Sequence, residues 1–348
     1  MGELRKFGIR QVCPLCRTPL PPGPEKIFEE ATRRFVVIQR LVISGHTSWS
    51  TLPDWAQQEL EVIVADWQAA VKQGFASAQC YLGYVFDHGC SVAQSDEKAA
   101  QWYRKAADQG IATAQGFLGE MIEEGRGVVQ SHKEAVQWFR LAANQGNARA
   151  QCNLGTMIER GRGVVKSDTE AVRWYRMAAD QGEAKAQCNL GVMIEKGRGV
   201  AQSHKEALQW YRKAAAQWHA NAQRNLGIMM ENSRGVKKDY AEAARWYRKA
   251  ADQGLAEAQC SLGDLYTEGR GVTQNDVEAV RWFEEAAYQG NAGAQYCLGM
   301  MLASGRGVAK NDVAAAWWIQ KAAGQGLQQA QNCLGMMCEY RLWRGAEP

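Results

Sequence analysis

Residues 150–185 read AQCNLGTMIERGRGVVKSDTEAVRWYRMAADQGEAK, and this stretch decides the fold. At 3.6 residues per turn, Ala150, Leu154, Met157 and Ile158 share one face of a first helix. Gly155 flanks that face, where a missing side chain lets a partner helix come close. Gly161-Arg162-Gly163-Val164 ends the helix, because two glycines weaken it and supply positive φ. A second helix opens near Ser167 or Asp168, buries Ala171, Trp174, Tyr175 and Ala178, and closes at Gln181-Gly182. One such hairpin cannot bury its own indole and leucine, whereas stacked neighbours can.

The neighbours are present. Ala-Gln-x-x-Leu-Gly recurs at Ala78, Ala114, Ala150, Ala186, Ala222, Ala258, Ala294 and Ala330, always 36 residues apart. Trp102, Trp138, Trp174, Trp210, Trp246, Trp282 and Trp318 keep the same phase. A fixed period of this length is the signature of a solenoid. Ser131-His132-Lys133-Glu134 and Ser203-His204-Lys205-Glu206 read as capping boxes that start second helices. Of seven prolines, five lie between Pro14 and Pro24, with Pro53 and Pro348 the others. The long proline-free body suits helices punctuated by glycine turns, and no stretch alternates apolar and polar residues as a strand would.

The 348 residues are 46% hydrophobic and 22% charged, enough apolar material for a large core. A net charge of +4 is too small to predict nucleic-acid binding, and none is expected. No run approaches the ~18 apolar residues of a membrane span. Residues 1–10 are charged and lack the apolar core of a secretory signal. The expected location is cytoplasmic, with the nucleus left open.

The succession A-x-x-x-L-G, G-x-G-V and E-A-x-x-W-Y-x-x-A-A-x-x-G resembles the Sel1-like repeat, a relative of the tetratricopeptide repeat. It covers residues 78–329 as seven units, with a partial unit and C-terminal cap over 330–348. The resemblance implies an all-α, right-handed superhelical solenoid of stacked two-helix repeats of 36 residues. It also implies a non-catalytic scaffold or adaptor whose partners are other proteins.

The N-terminus differs. In residues 1–24, Cys13-Pro14-Leu15-Cys16-Arg17 followed by Pro19, Pro21 and Pro22 resembles the last zinc-ligand pair of a RING finger. A structural zinc site needs four ligands. No Cys or His precedes Cys13, and the next are His46 and Cys80. A truncated remnant without a cofactor is therefore expected, with zinc on Cys13 and Cys16 only where the finger is completed elsewhere. A completed finger implies the alternative role, the substrate-recognition part of a RING-type ubiquitin ligase. Residues 25–77 read as a helical cap and degenerate repeat. Ile27, Phe28, Ala31, Phe35, Ile38 and Leu41 form an apolar side beside Arg33, Arg34 and Arg40. That side packs on the first repeats in preference to a membrane surface. Residues 60–74 resemble a lone second helix, with Gln73-Gly74 in phase and Trp67 one place late.

Candidate chemistry is sparse. Some bacterial relatives are cysteine-rich and secreted, but Cys80, Cys152, Cys188 and Cys260 share one repeat column and Cys297 and Cys333 its neighbour. Stacked equivalents lie about 9–10 Å apart, beyond disulfide reach, so reduced thiols are expected. Ser95-Asp96-Glu97-Lys98 matches S-x-x-K, yet no S-D-N or K-T-G accompanies it, and Ser95 shares the helix-start column of Ser131, Ser167 and Ser203. No catalytic residue is expected. Arg126, Arg162, Arg198, Arg234, Arg270 and Arg306 form a positive loop edge that either caps first helices or binds acidic partners or nucleic-acid phosphates, with capping the expected role. Asp87, Glu123, Glu159, Glu195 and Glu231 form an acidic column on the side the resemblance implies is the concave groove. With Thr156, Asp264, Tyr296 and Met300 they make a candidate groove for a basic, extended peptide segment. The competing reading is a solvated face making salt bridges to the neighbouring arginines.

Overall fold

The computed structural model describes residues 23–339 apart from His46. Cys13, Cys16 and residues 340–348 lie outside the described residues. Seventeen α-helices and no strand occur among those described. The chain divides into two compact units at Lys166 and Ser167.

In the first unit, α1 (Pro24–Ile43) packs on α2 (Asp54–Lys72) and α2 on α3 (Ala76–His88). The hairpin of α3 and α4 (Asp96–Asp108) is followed by that of α5 (Ala112–Glu124) and α6 (His132–Asn144), then by α7 (Ala148–Arg160). The apolar side of α1 turns inward: Ala31, Phe35 and Ile38 are buried against Leu60, Ile63, Trp67 and Leu82. Trp67, out of phase in sequence, lies fully buried with its ring edge-on to Phe35 at 5.0 Å. Arg34 pairs with Glu59 and Asp66, tying α1 to α2.

In the second unit, α8 (Asp168–Asp180) packs on α9 (Ala184–Lys196). Four hairpins then succeed one another. They are α9 with α10 (His204–Ala216), α11 (Ala220–Glu231) with α12 (Tyr240–Ala251), α13 (Ala256–Glu268) with α14 (Asp276–Tyr288), and α15 (Ala292–Ser304) with α16 (Asp312–Gly324). The last helix is α17 (Gln328–Glu339). Each unit is thus a stack of two-helix hairpins, the arrangement of an all-α solenoid.

One close approach recurs in five hairpins, and in α15 with α16 Ile319 takes the place of the aromatic ring. A Cβ on Gly191 would stand 2.6 Å from the Tyr211 ring, so the bare backbone of the first helix is what admits the aromatic of the second. Tyr211 is fully buried, as are Tyr103, Phe139, Tyr247 and Phe283 at the same place in their repeats. The tryptophans one position earlier take the expected core role only in part. Trp102, Trp138, Trp174 and Trp246 are only partly buried, while Trp210, Trp282 and Trp318 are buried. One residue is 100° of helix, which carries the indole from the hairpin core to its seam.

Glutamines join successive hairpins. Gln187 Nε2 donates to the Ala179 carbonyl at 3.1 Å, capping the end of α8, and its Oε1 accepts from Gln217 at 3.0 Å. The same pattern in the first unit links Gln115 to Ala107 and Gln145 to Gln115. Serine caps form as expected: Ser131 Oγ accepts from Glu134 N and Ser203 Oγ from Glu206 N. The reciprocal half of the capping box is replaced. The Ser131 N–H donates to Ile122 O and the Ser203 N–H to Ile194 O, which releases Glu134 and Glu206 for Arg104 and Arg176.

Candidate functional site

The acidic column stands in the last turn of the first helices, and each member is at least half-buried. Its partners are specific. In the second unit Tyr211 donates to one oxygen of Glu195 at 2.8 Å, and Arg234 donates to the other at 2.8 Å. Tyr247 and Arg270 hold Glu231 in the same way, at 2.8 Å and 3.3 Å. In the first unit Tyr103 and Arg126 hold Asp87, at 3.4 Å and 2.7 Å. Arg162 stands 3.8 Å from Glu123, whose repeat carries Phe139 in place of the tyrosine. The tyrosine comes from the carboxylate's own hairpin and the arginine from the loop of the next one. Two columns that read separately in sequence are one ladder of ion pairs between repeats.

Electrostatics follow the burial. Burial, and then the adjacent carboxylates, push the Tyr103, Tyr211 and Tyr247 phenols well above their usual range. Burial works against the Arg126 charge, but hydrogen bonds to Asp87 and Glu124 outweigh it and raise its pKa. Arginines also reach the first residue of the preceding second helix where that residue is Asp. Arg198 takes Asp168 through two nitrogens, at 2.7 Å and 3.1 Å, and Arg306 takes Asp276 likewise. Arg126 adds Asp96 at 3.3 Å. Side-chain capping of the first helix is therefore not what these arginines do. The backbone does that work: the Arg126 N–H bonds Met121 O after Gly125 turns left-handed.

The remaining candidates differ. Thr156 Oγ1 donates to the Cys152 carbonyl on its own helix. In the second unit Asp264 forms no ion pair with a described residue; its hydrogen-bond partner is the Cys297 thiol, at 3.9 Å. Burial, then Glu268 and Glu231, push the Asp264 carboxyl up to about 6. Tyr296 is half-buried on α15, and Met300 is exposed one turn along it, with the Cys333 thiol 4.0 Å from its sulfur. Asp264 thus meets α15 at Cys297, the sequence neighbour of Tyr296, and Met300 lies one turn further along that helix. Two features escaped the column reading. Glu120 gathers Arg149 and Asn153 from the next first helix, through charges scattered over different columns. Trp218 occupies a turn position where its counterparts are glycine, a departure visible only against the whole column.

Among the described cysteines, Cys80, Cys90, Cys188, Cys260, Cys297 and Cys333 are free thiols. Burial pushes Cys80, Cys90, Cys188 and Cys297 up to about 12, so they stay protonated near neutral pH. Ser95 is an N-cap, its Oγ accepting from Lys98 N at 3.3 Å. Among the described residues no cluster of three His, Cys, Asp or Glu is placed to hold a metal, and no helix is long and apolar enough to cross a membrane.

Stacked hairpins, aromatic-on-glycine packing and a polar ladder between repeats define an α-helical repeat protein. The chain belongs to the Sel1 repeat family. The family pattern matches residues 76–111, 112–147, 148–183, 184–217, 220–255, 256–291 and 292–327. Among solved structures the chain is similar to c5321, a protective antigen of uropathogenic Escherichia coli strains with an SLR fold. Identity is 32%, the TM-score is 0.67, and 92% of this chain and 68% of that chain are covered. It is also similar to a Sel1 repeat protein from Oxalobacter formigenes, at 32% identity and a TM-score of 0.63, covering 90% and 89% of the two chains. No curated protein matches the chain.

Proposed function

We propose that this chain is a non-catalytic scaffold that binds other proteins along its repeat surface. The observation that carries the reading is the contrast between ladder and patch. Glu195 and Glu231 are satisfied by Arg234 and Arg270, whereas Asp264 on the same side of the second unit has no ion-pair partner. A half-buried carboxylate that no direct ion pair satisfies, near an exposed methionine and a half-buried tyrosine, suits a segment bearing one basic and one apolar residue. Surfaces fixed in advance by packing bind with little ordering cost. Catalysis finds no support, because Ser95 caps a helix and the buried thiols are protonated.

The test is a crosslinked pull-down from source lysate with wild type and with Asp264→Asn combined with Met300→Glu. A partner held by wild type and lost by the variant, at equal helicity, supports the patch. Identical recoveries overturn it. The ligase alternative rests on Cys13 and Cys16, which supply two of four zinc ligands. A zinc-to-protein ratio near zero in the purified chain removes it.

A further inference from the structure

Among the described residues every half-buried arginine but one has a polar partner. Arg126, Arg198 and Arg270 pair with carboxylates of the neighbouring repeat, Arg34 and Arg104 also meet carboxylates, and Arg248 donates to Tyr266. Arg224 on α11 is the exception. It is half-buried, yet it makes no ion pair and no hydrogen bond with a described residue, and its Nε is buried without an acceptor. In the second unit its repeat column otherwise reads Cys188, Cys260, Tyr296 and Asn332, none of them cationic. A guanidinium nitrogen stripped of water and left without an acceptor costs free energy, and a structural role would show a partner that offsets the cost.

Its place on the helix is the docking side. At 3.6 residues per turn Arg224, Ile228 and Glu231 share one side of α11, the side that carries the acidic ladder. On α13 the next hairpin sets Cys260 at the counterpart of Arg224 and Asp264 one turn beyond it. Burial pushes the Cys260 thiol and the Tyr247 phenol up; Asp264 adds to that push and Arg224 opposes it, so both charges face the same two groups. Even so, Arg224 and Asp264 form no ion pair with each other. Glu231 is taken by Tyr247 and Arg270, and Glu257 in the first turn of α13 makes no ion pair with Arg224. An unsatisfied cation and an unsatisfied anion thus stand one hairpin apart on one side of the second unit.

We propose that Arg224 is a carboxylate subsite of the surface on which Asp264 receives a basic residue: an aspartate or glutamate of the bound protein segment seats against the Arg224 guanidinium. This deepens the docking reading above and rests on it. The planar guanidinium offers paired N–H donors that match the two oxygens of a carboxylate. Two charges of opposite sign also fix which way the segment runs, which one carboxylate alone leaves open. Equivalent helices of stacked hairpins lie about 9–10 Å apart and an extended chain rises roughly 3.3 Å per residue, so the acid and the base of the partner are about two to four residues apart.

A random linear heptapeptide library displayed on phage, panned against the immobilised full chain, tests this. Peptides selected by wild type are expected to carry an Asp or Glu about two to four residues from a Lys or Arg. Arg224→Met, with helicity checked by circular dichroism, is expected to lower the enrichment of acidic residues roughly tenfold and to leave that of basic residues unchanged. Arg224→Lys, which keeps the charge, should retain part of the acidic preference. Asp264→Asn should do the reverse, losing the basic residue and keeping the acidic one. Basic and apolar peptides selected without an acid, or an acidic preference that survives Arg224→Met, overturn the Arg224 subsite and leave the Asp264 reading standing. A wild type that selects no charged sequence overturns both.

Discussion

Arg234 reaches back one repeat and donates to Glu195 at 2.8 Å, on the carboxylate oxygen that Tyr211 leaves vacant. The pair is asymmetric: the Glu195 side chain is 13% exposed and that of Arg234 47%. Removing the buried member leaves the Tyr211 hydroxyl without its acceptor, while removing the arginine leaves a carboxylate that keeps Tyr211. Glu195→Ala is therefore expected to cost about 1–3 kcal/mol and Arg234→Ala less. The coupling energy of the double-mutant cycle is expected near ~0.5–1 kcal/mol, falling at high salt because the arginine is half exposed. Urea unfolding at two ionic strengths measures it. Equal single-mutant losses, with no coupling, would show that the ladder does not join the repeats energetically.

Gly191 makes the packing prediction. An alanine there places its Cβ 2.6 Å from Tyr211, a ring that has no room to retreat. Gly191→Ala is expected to destabilise by ~1–3 kcal/mol, despite alanine's higher helix propensity. Adding Tyr211→Leu, which shortens the occupant, should restore part of the loss. If Gly191→Ala instead raises the urea midpoint, the close approach is not what holds this hairpin.

Much of this was legible in the 36-residue phase. Hairpin boundaries at Ser167 and Gly161, the glycine under the partner helix and the serine caps all follow from local rules that repeat. Partner choice was less legible. Arg234 is 39 residues from Glu195, so the bond depends on how one repeat sits on the next. The position 30 residues before each arginine adds to this: an aspartate there, as at Asp96, Asp168 or Asp276, gives the guanidinium a carboxylate, and Arg126 holds Asp96 together with Asp87. The partial exposure of Trp174 was hidden for another reason: Trp174 and Tyr175 are neighbours in sequence, and only the packed hairpin tells which one faces Gly-lined backbone.

His219 gives a pH-dependent cap. Its Nδ1 accepts from the Ala222 N–H at 3.3 Å, which requires the neutral ring, and burial lowers its pKa below 6.5. The unfolded chain then binds the proton more readily, so stability present above pH ~6.5 falls as pH drops below it. Asn147 and Asn291 cap at the same place in their repeats through Oδ1, at 2.9 Å. His219→Asn should keep the cap and lose that part of the acid sensitivity. Thermal melts between pH 5 and 8, compared for the two proteins, read the difference; parallel profiles would exclude the histidine as its source.

Asp264 works in the opposite direction. Its carboxyl, pushed by burial from 3.8 up to about 6, is held more easily as the acid in the folded chain. The folded state therefore binds the proton more tightly than the unfolded one. Stability from this group is full below pH ~4 and declines as pH rises toward 6, after which the deficit is constant. Asp264→Asn, which keeps the shape without the charge, is expected to gain on the order of 2 kcal/mol over wild type at pH 8 and almost nothing at pH 4. A basic segment docked on the patch would remove the same deficit, so the wild-type protein would gain from its partner what the variant gains from the mutation. Chemical denaturation at the two pH values decides: an equal effect of the substitution at both would mean that Asp264 carries no stored charge for a partner to neutralise.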